Sequence, residues 1–248
     1  MQSLSTVEKA IDLLFHLHEE ASPRGVTAVG KALGLPKSSA HRLLSTLTRR
    51  GLLERDERGR YLPGIGLVAL GVGVLEREPV VAAARPVIEL EAQRLGETVF
   101  LTAARAGAVV VLDKAEGTGF LRAAPQIGSA VPLHATAVGK IYLTHAPEAV
   151  TLGDAPLEAF TPSTMTSPAA LAAELDRVRR QGYAENRDEW IAGLSAVAAP
   201  VLVAGRLVAA LAVASSSPRL EALRGSSLAG RIVEAARRIG GRMEGRTT

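Results

Sequence analysis

No cysteine occurs in the 248 residues. That excludes disulfides, thiolate metal sites, a cysteine nucleophile and a thiol redox sensor. Aromatic residues make up 3% of the chain, too few for a stacked platform that holds RNA or single-stranded DNA. No apolar run approaches the ~18 uninterrupted residues of a membrane span. MQSLSTVEKAID has no basic stretch ahead of an apolar one, so no secretory signal is expected either. Catalytic signatures are missing: there is no G-x-S-x-G, no H-E-x-x-H and no cluster of histidines with carboxylates, although His134, Lys140 and His145 are of catalytic type. HATAVGKI lacks the leading glycine and the Ser/Thr after lysine of a phosphate-binding loop. Gly64-Ile65-Gly66-Leu67-Val68-Ala69 fits a loose dinucleotide pattern, but no hydrophobic strand precedes it and Pro63 sits at the junction. The expectation is a cytoplasmic protein that is not an enzyme and needs no cofactor or metal, with 47% hydrophobic residues to supply its core.

What is present is concentrated between Val26 and Leu62. Thr27 is placed to cap a helix with Val29, Ala32 and Leu33 on one face, and Gly34 suits the left-handed residue that stops it. Pro36 and Lys37 open a second helix running to Gly51, with Ala40, Leu43, Leu44 and Leu47 as its inward stripe. Ser38, Arg42, Ser45 and Arg49 share the opposite face. Their hydroxyl and guanidinium groups are the chemistry that meets phosphate oxygens and base edges in a major groove. LLER-DERG-RYL then reads as two short strands around a charged turn ending at Gly59. Helix, turn, basic helix and hairpin describe a winged helix-turn-helix. From Arg24 to Arg60, seven arginines and two lysines stand against three acids, a balance of +6 in a chain whose total is +4. The positive charge is therefore gathered where a duplex would lie.

Around this stretch, Ser5-Thr6-Val7-Glu8 has the form of a capping box, and Val7, Ile11, Leu14 and Leu17 predict the packed face of the first helix. GIGLVALGVGVLERE predicts a connecting helix closed by Pro79. Val87, Leu90 and Leu95 indicate a helix ending at Gly96 with Pro86 in an early turn, followed by two strands that turn at Ala106-Gly107. PLHATAVGKIYLTHA begins as a loop and continues as a helix. Ser167-Pro168 starts another, with Ala170, Leu171, Leu175 and Val178 inward. SAVAAPVLV and RLVAALAVA form strands joined at Ala204-Gly205, and one helix from Leu220 to Met243 ends the chain. The fold class is α+β: a winged helix-turn-helix over 1–63, a connector helix over 64–78, and an antiparallel sheet domain with flanking helices over 79–248.

GLPKSSAHRLLSTLTRRGLLERDERGRYLPGIGLVALG resembles the N-terminal domain of IclR-type bacterial transcription regulators, and the PLHATAVGK and GLSAVAAPV segments are similar to the effector domain of the same family. The resemblance spans nearly the whole chain. It implies a GAF-like second domain, a homodimer that assembles further into a tetramer, a double-stranded operator and a small organic effector. By this reading Lys37, Arg49, Arg58 and Arg60 contact phosphates, and Ser38, Ser39, Arg42 and Ser45 read bases. His41 contacts backbone or is simply exposed. By matching position the resemblance puts Val131, Leu133, Ala137, Val138, Asn186, Ala196, Ala212 and Ala214 in the effector pocket, with Thr136 and Glu189 beside it. Other readings stand next to these: Val131, Leu133 and Val138 as ordinary core, Thr136 as a helix cap, and Glu189 as the partner of a surface arginine. Ala196, Ala212 and Ala214 fall where the family often carries cysteine or serine. The expected effector is thus a mostly apolar acid, its charge met by backbone N–H groups or by Arg122. Two rivals are a small-molecule enzyme with an accessory nucleic-acid domain and an architectural DNA-binding protein without effector.

Overall fold

The computed structural model describes residues 5–20, 22–75, 77–118, 126–153, 156–224 and 227–245; Arg122 lies outside them. The chain divides into two compact units, Met1–Arg77 and Glu78–Thr248.

In the first unit, α1 (Thr6–Glu19) opens on the capping box, Ser5 Oγ accepting from Glu8 N at 3.1 Å while the Glu8 carboxylate accepts from Ser5 N. Its buried residues are Leu13 and Leu17, backed by half-buried Ala10 and Leu14, whereas Val7 and Ile11 stand exposed with Phe15. Leu14 and Leu17 of the expected row thus pack inward and Val7 and Ile11 do not, because the helix has two apolar faces and periodicity alone does not say which one meets the core. α2 (Val26–Ala32) starts after Gly25 with no side-chain cap, so Thr27 lies inside the helix rather than capping it. Gly34 at φ 61° takes the chain out of it. α3 (Lys37–Arg49) buries Ala40, Leu43, Leu44 and Leu47. β1 (Leu53–Arg55) and β2 (Tyr61–Pro63) pair antiparallel, and α4 (Ile65–Leu75) follows. Leu13, Leu17, Val29, Leu44, Leu53 and Tyr61 form the shared core. Gly64 and Gly66 are explained by packing: a Cβ on either would lie 2.6 Å from the Gly51 carbonyl oxygen.

The second unit is built on a six-stranded antiparallel sheet in the order β5-β4-β3-β8-β7-β6. Its strands are β3 (Thr98–Arg105), β4 (Ala108–Ala115), β5 (Ala130–Val131), β6 (Ala184–Arg187), β7 (Leu194–Val203) and β8 (Arg206–Ser216). Ala106-Gly107 and Ala204-Gly205 both adopt positive φ at each residue, as a two-residue hairpin turn matched to strand twist requires. α5 (Pro79–Leu95) carries Pro79 in its first turn and ends at Gly96 with φ 71°. Pro86 therefore falls mid-helix, on the exposed side, and not in an early turn. α6 (Ala137–His145) packs on one face of the sheet with α7 (Pro168–Gln181) behind it. In α7 Leu171 and Val178 are buried and Ala170 is exposed. The C-terminal segment is two helices, α8 (Ser217–Arg224) and α9 (Leu228–Glu244), rather than one. α9 and α5 pack together and against the sheet, joined by buried Glu91, which accepts from Arg231 at 2.5 Å and Arg238 at 3.2 Å. Strand alternation sends Ala196, Ala198, Ala210, Ala212 and Ala214 into the core cluster that contains α6. Small residues in that row leave room above the sheet, and the room becomes the site.

Candidate DNA-reading face and effector pocket

α3 turns Lys37, Ser38, His41, Arg42, Thr46 and Arg49 outward, with Ser39 and Ser45 half-buried at the edges of the face. Thr46 was missed in the sequence, although it sits four residues after Arg42. Its hydroxyl accepts from Arg49 Nη2 at 3.1 Å and so holds that guanidinium along the face. In the wing, Asp56 organises the turn. Its Oδ1 accepts from Arg58 N at 3.0 Å and Arg60 N at 2.8 Å, and its Oδ2 accepts from Arg60 Nε at 2.7 Å. Arg55 lies over the Tyr61 ring, 4.7 Å from its centroid. Arg60 and Arg55 thus have structural employment inside the hairpin. Arg58 is exposed and, among the described residues, has no carboxylate partner.

In the second unit, Asn186, Ala196 and Ala214 sit directly opposite one another across β6, β7 and β8. Above this row α6 begins at Thr136, whose Oγ1 accepts from Gly139 N at 3.1 Å and donates to Pro132 O at 2.5 Å. Between floor and helix is a cavity of about 20 Å³. It brings together seven of the ten expected residues: Val131, Thr136, Ala137, Val138, Asn186, Ala196 and Ala214. Phe100, Trp190 and Leu194 complete the lining; they come from segments whose only sequence signal was apolar character next to the expected positions. Asn186 Oδ1 accepts from Glu189 N at 2.9 Å, so the group it can offer a ligand is its amide N–H.

The other three lie elsewhere. Leu133 lines a separate open groove of about 570 Å³ beside His134 and Phe160, with Val131 common to both spaces. Ala212 is fully buried beneath the cavity; its cross-strand neighbour Phe100 takes the lining position. Glu189 is buried and accepts from Lys140 Nζ at 2.7 Å, so its partner is an interior lysine and not a surface arginine. Lys140, itself 0% exposed, also donates to Glu185 O at 2.8 Å and lies 3.5 Å from Glu174 Oε1. Burial works against ionisation of Glu174, but hydrogen bonds and charge from Arg177 and Lys140 outweigh it and hold the carboxyl below its ordinary range.

A basic helix with its hydroxyls and guanidiniums outward, followed by a charged wing, is a DNA-reading element, and a sheet domain enclosing a small pocket accompanies it. This is the build of a winged-helix transcription regulator. Comparison with known proteins agrees for both halves. Residues 6–57 match the IclR helix-turn-helix domain, and residues 72–240 match the bacterial transcriptional regulator IclR C-terminal domain. The chain is 32% identical over 232 residues to the HTH-type transcriptional regulator XynR of Escherichia coli K12, covering 89% of this chain and 90% of that one. The crystal structure of Thermotoga maritima IclR superposes with a TM-score of 0.75 at 27% identity, covering 95% and 98% of the two chains. An IclR homologue from Microbacterium hydrocarbonoxydans, solved in complex with 4-hydroxybenzoate, gives a TM-score of 0.78 at 25% identity and covers 97% and 100%. The chain belongs to the IclR family of bacterial transcription regulators.

Proposed function

We propose that the protein is a homodimeric operator-binding regulator whose grip on DNA is altered by a small, largely apolar organic acid held in the cavity beneath α6. The observation that carries the DNA half is the outward face of α3, where Ser38, Arg42, Thr46 and Arg49 are presented together. Arg42, mid-way along it, reads a base. Lys37 and Arg58 contact phosphates, with Ser39, His41, Ser45 and Arg60 at the margins of the interface.

A single head has too small a footprint for selective binding, so paired half-sites are required. Exposed apolar side chains support a second copy as the partner: Val7 (67%) and Phe15 (62%) on α1, and Val68 (56%) and Val74 (62%) on α4. A dimer of such dimers follows the family's habit.

For the effector, the alanines at 196 and 214 offer no polar group, and the Thr136 hydrogen is already given to Pro132 O. A carboxylate is left with the Asn186 amide and the N–H groups of the first turn of α6, at Ala137 and Val138, with the rest of the molecule on apolar surface. The 4-hydroxybenzoate seen in the Microbacterium homologue has this character.

Footprinting on a selected operator tests the reading, with and without acid. Arg42→Ala should cost about 1–3 kcal/mol and relax base preference at one position per half-site. Thermal shifts should favour aromatic and branched acids over glyoxylate. Unchanged affinity and preference in Arg42→Ala, or a larger shift with glyoxylate, would reject the corresponding half.

A further inference from the structure

The effector pocket leaves about 20 Å³, room for about one water molecule. Any organic acid that enters must displace a wall, and the walls differ in what holds them. The floor residues Ala196 and Ala214 lie on β7 and β8, each paired with a strand on both sides. α6 is fixed at three points: Lys140 Nζ to Glu185 O at 2.8 Å, Lys140 Nζ to Glu189 Oε1 at 2.7 Å, and Tyr142 Oη to Thr102 O at 3.1 Å. Phe100 on β3 and Val131 on β5 are paired into the sheet and buried, and the wall left is the connection between β6 and β7.

Within that connection the residues before Trp190 are tied down. The Asp188 carbonyl accepts from Thr161 Oγ1 at 2.6 Å, and its Oδ1 accepts from Gly193 N at 2.8 Å. The Glu189 carbonyl accepts from Thr164 Oγ1 at 2.6 Å, while its N–H goes to Asn186 and its carboxylate to Lys140. Trp190 contrasts with both. It is half-buried against the core, lines the pocket, and has no hydrogen-bond partner among the described residues. Packing alone holds its ring. Indole rotation therefore asks for no broken hydrogen bond, whereas moving the backbone of the floor or of α6 does. The other lining side chains, Phe100, Val131 and Leu194 among them, are buried, and Trp190 alone of the lining is half-exposed.

We propose that Trp190 is the gate and the specificity-determining residue of the effector pocket: its ring closes the space that Ala196 and Ala214 leave open and turns aside to admit an acid. The proposal rests on reading this cavity as the effector pocket. Lys140 and Glu189 keep the adjacent backbone still, so the movement is one of a side chain. An acid must then gain enough apolar contact to offset the exposed ring, which selects aromatic and branched molecules over two-carbon ones. In the closed form the binding-competent population is small, and apparent affinity falls by that fraction.

The chain contains one tryptophan, so its fluorescence reports this residue alone. Benzoate and glyoxylate are titrated into the full-length protein by calorimetry and by emission, and into Trp190→Ala and Trp190→Phe by calorimetry. Benzoate should shift the emission of the native protein. Trp190→Ala should bind benzoate about tenfold more tightly, because the closed population is gone, with Trp190→Phe between the two. Trp190→Ala should lower the thermal midpoint, because an indole packed against the core is lost, so the gate is read from the direction of the change in Kd and not from stability. Benzoate binding only to Trp190→Ala would also support the gate. Calorimetric binding to the native protein with silent emission and an unaltered Kd in Trp190→Ala would overturn it. Weaker binding in Trp190→Ala would overturn it too, making the indole a wall of the bound state. If neither acid binds either protein, the pocket reading fails and the gate with it.

Discussion

Replacing Lys140 by methionine keeps the length of the side chain and deletes its charge. The lysine is 0% exposed and its ammonium donates to Glu189 Oε1 at 2.7 Å and to Glu185 O at 2.8 Å. Without it, Glu189 is an interior carboxylate with no counter-ion, and its Oε2 already has no partner. Glu174 is less affected, because Arg177 still donates to it at 2.8 Å. Breaking a buried pair from one side costs about 3–5 kcal/mol. With a urea slope of about 2 kcal/mol/M, a loss near 4 kcal/mol moves the midpoint down by about 2 M. The double variant Lys140→Met/Glu189→Met removes the stranded charge as well and should regain most of the loss, since apolar pairs of similar volume replace buried ion pairs at little cost. Equilibrium urea unfolding followed by circular dichroism measures all three proteins. A single variant that loses less than about 1 kcal/mol, or a double variant no more stable than the single, would refute the argument that the pair is desolvated.

Two further outcomes follow from the wing and from α6. Arg58→Ala should weaken binding to all duplexes alike and lower the salt slope by about one unit, while Arg60→Ala should lower it less, because that guanidinium is already shared with Asp56; salt titrations by fluorescence anisotropy compare them. Burial, with a smaller contribution from Arg179, holds the His145 imidazole below its ordinary 6.5. The unfolded chain takes up that proton first on acidification, so the stabilisation is complete above the unfolded value and is lost as pH falls through the lowered folded one. Urea midpoints should therefore drop more between about pH 7.5 and 5 in the native protein than in His145→Gln; parallel curves would contradict this.

The winged helix was legible because its signals are local. A stop glycine at 34, a stripe at 40, 43, 44 and 47, and a turn ending at Gly59 each fix φ or burial within a few residues. The misplaced α1 face, the late start of α5 and the undivided C-terminal helix share one cause: each needed knowledge of what lies opposite. The site divides the same way. Asn186, Ala196 and Ala214 fall together because strand parity and register bring them together, and parity is readable in sequence. Trp190, Phe100 and the true partner of Glu189 were not readable. They depend on how α6 and the β6–β7 connection settle over the sheet.

That dependence bears on what the pocket accepts. Lys140 is the cation whose ammonium is bonded to Glu189, the residue next to Trp190, and an unpaired lysine there would draw in compact polyanions. It is not unpaired. Glu189 and Glu174 together carry more negative charge than it supplies, and Arg177 restores balance from the exposed side. An incoming carboxylate therefore meets a neutral cluster behind the wall, which offers no net attraction and allows no close approach to the ammonium. Two consequences follow. On the proposed reading, the acid's charge is met at the mouth of α6 and at the Asn186 amide, donors enough for one carboxylate and too few for two. Affinity on that reading comes from apolar area, in a pocket floored by Ala196 and Ala214 and walled by Trp190, the gate proposed above.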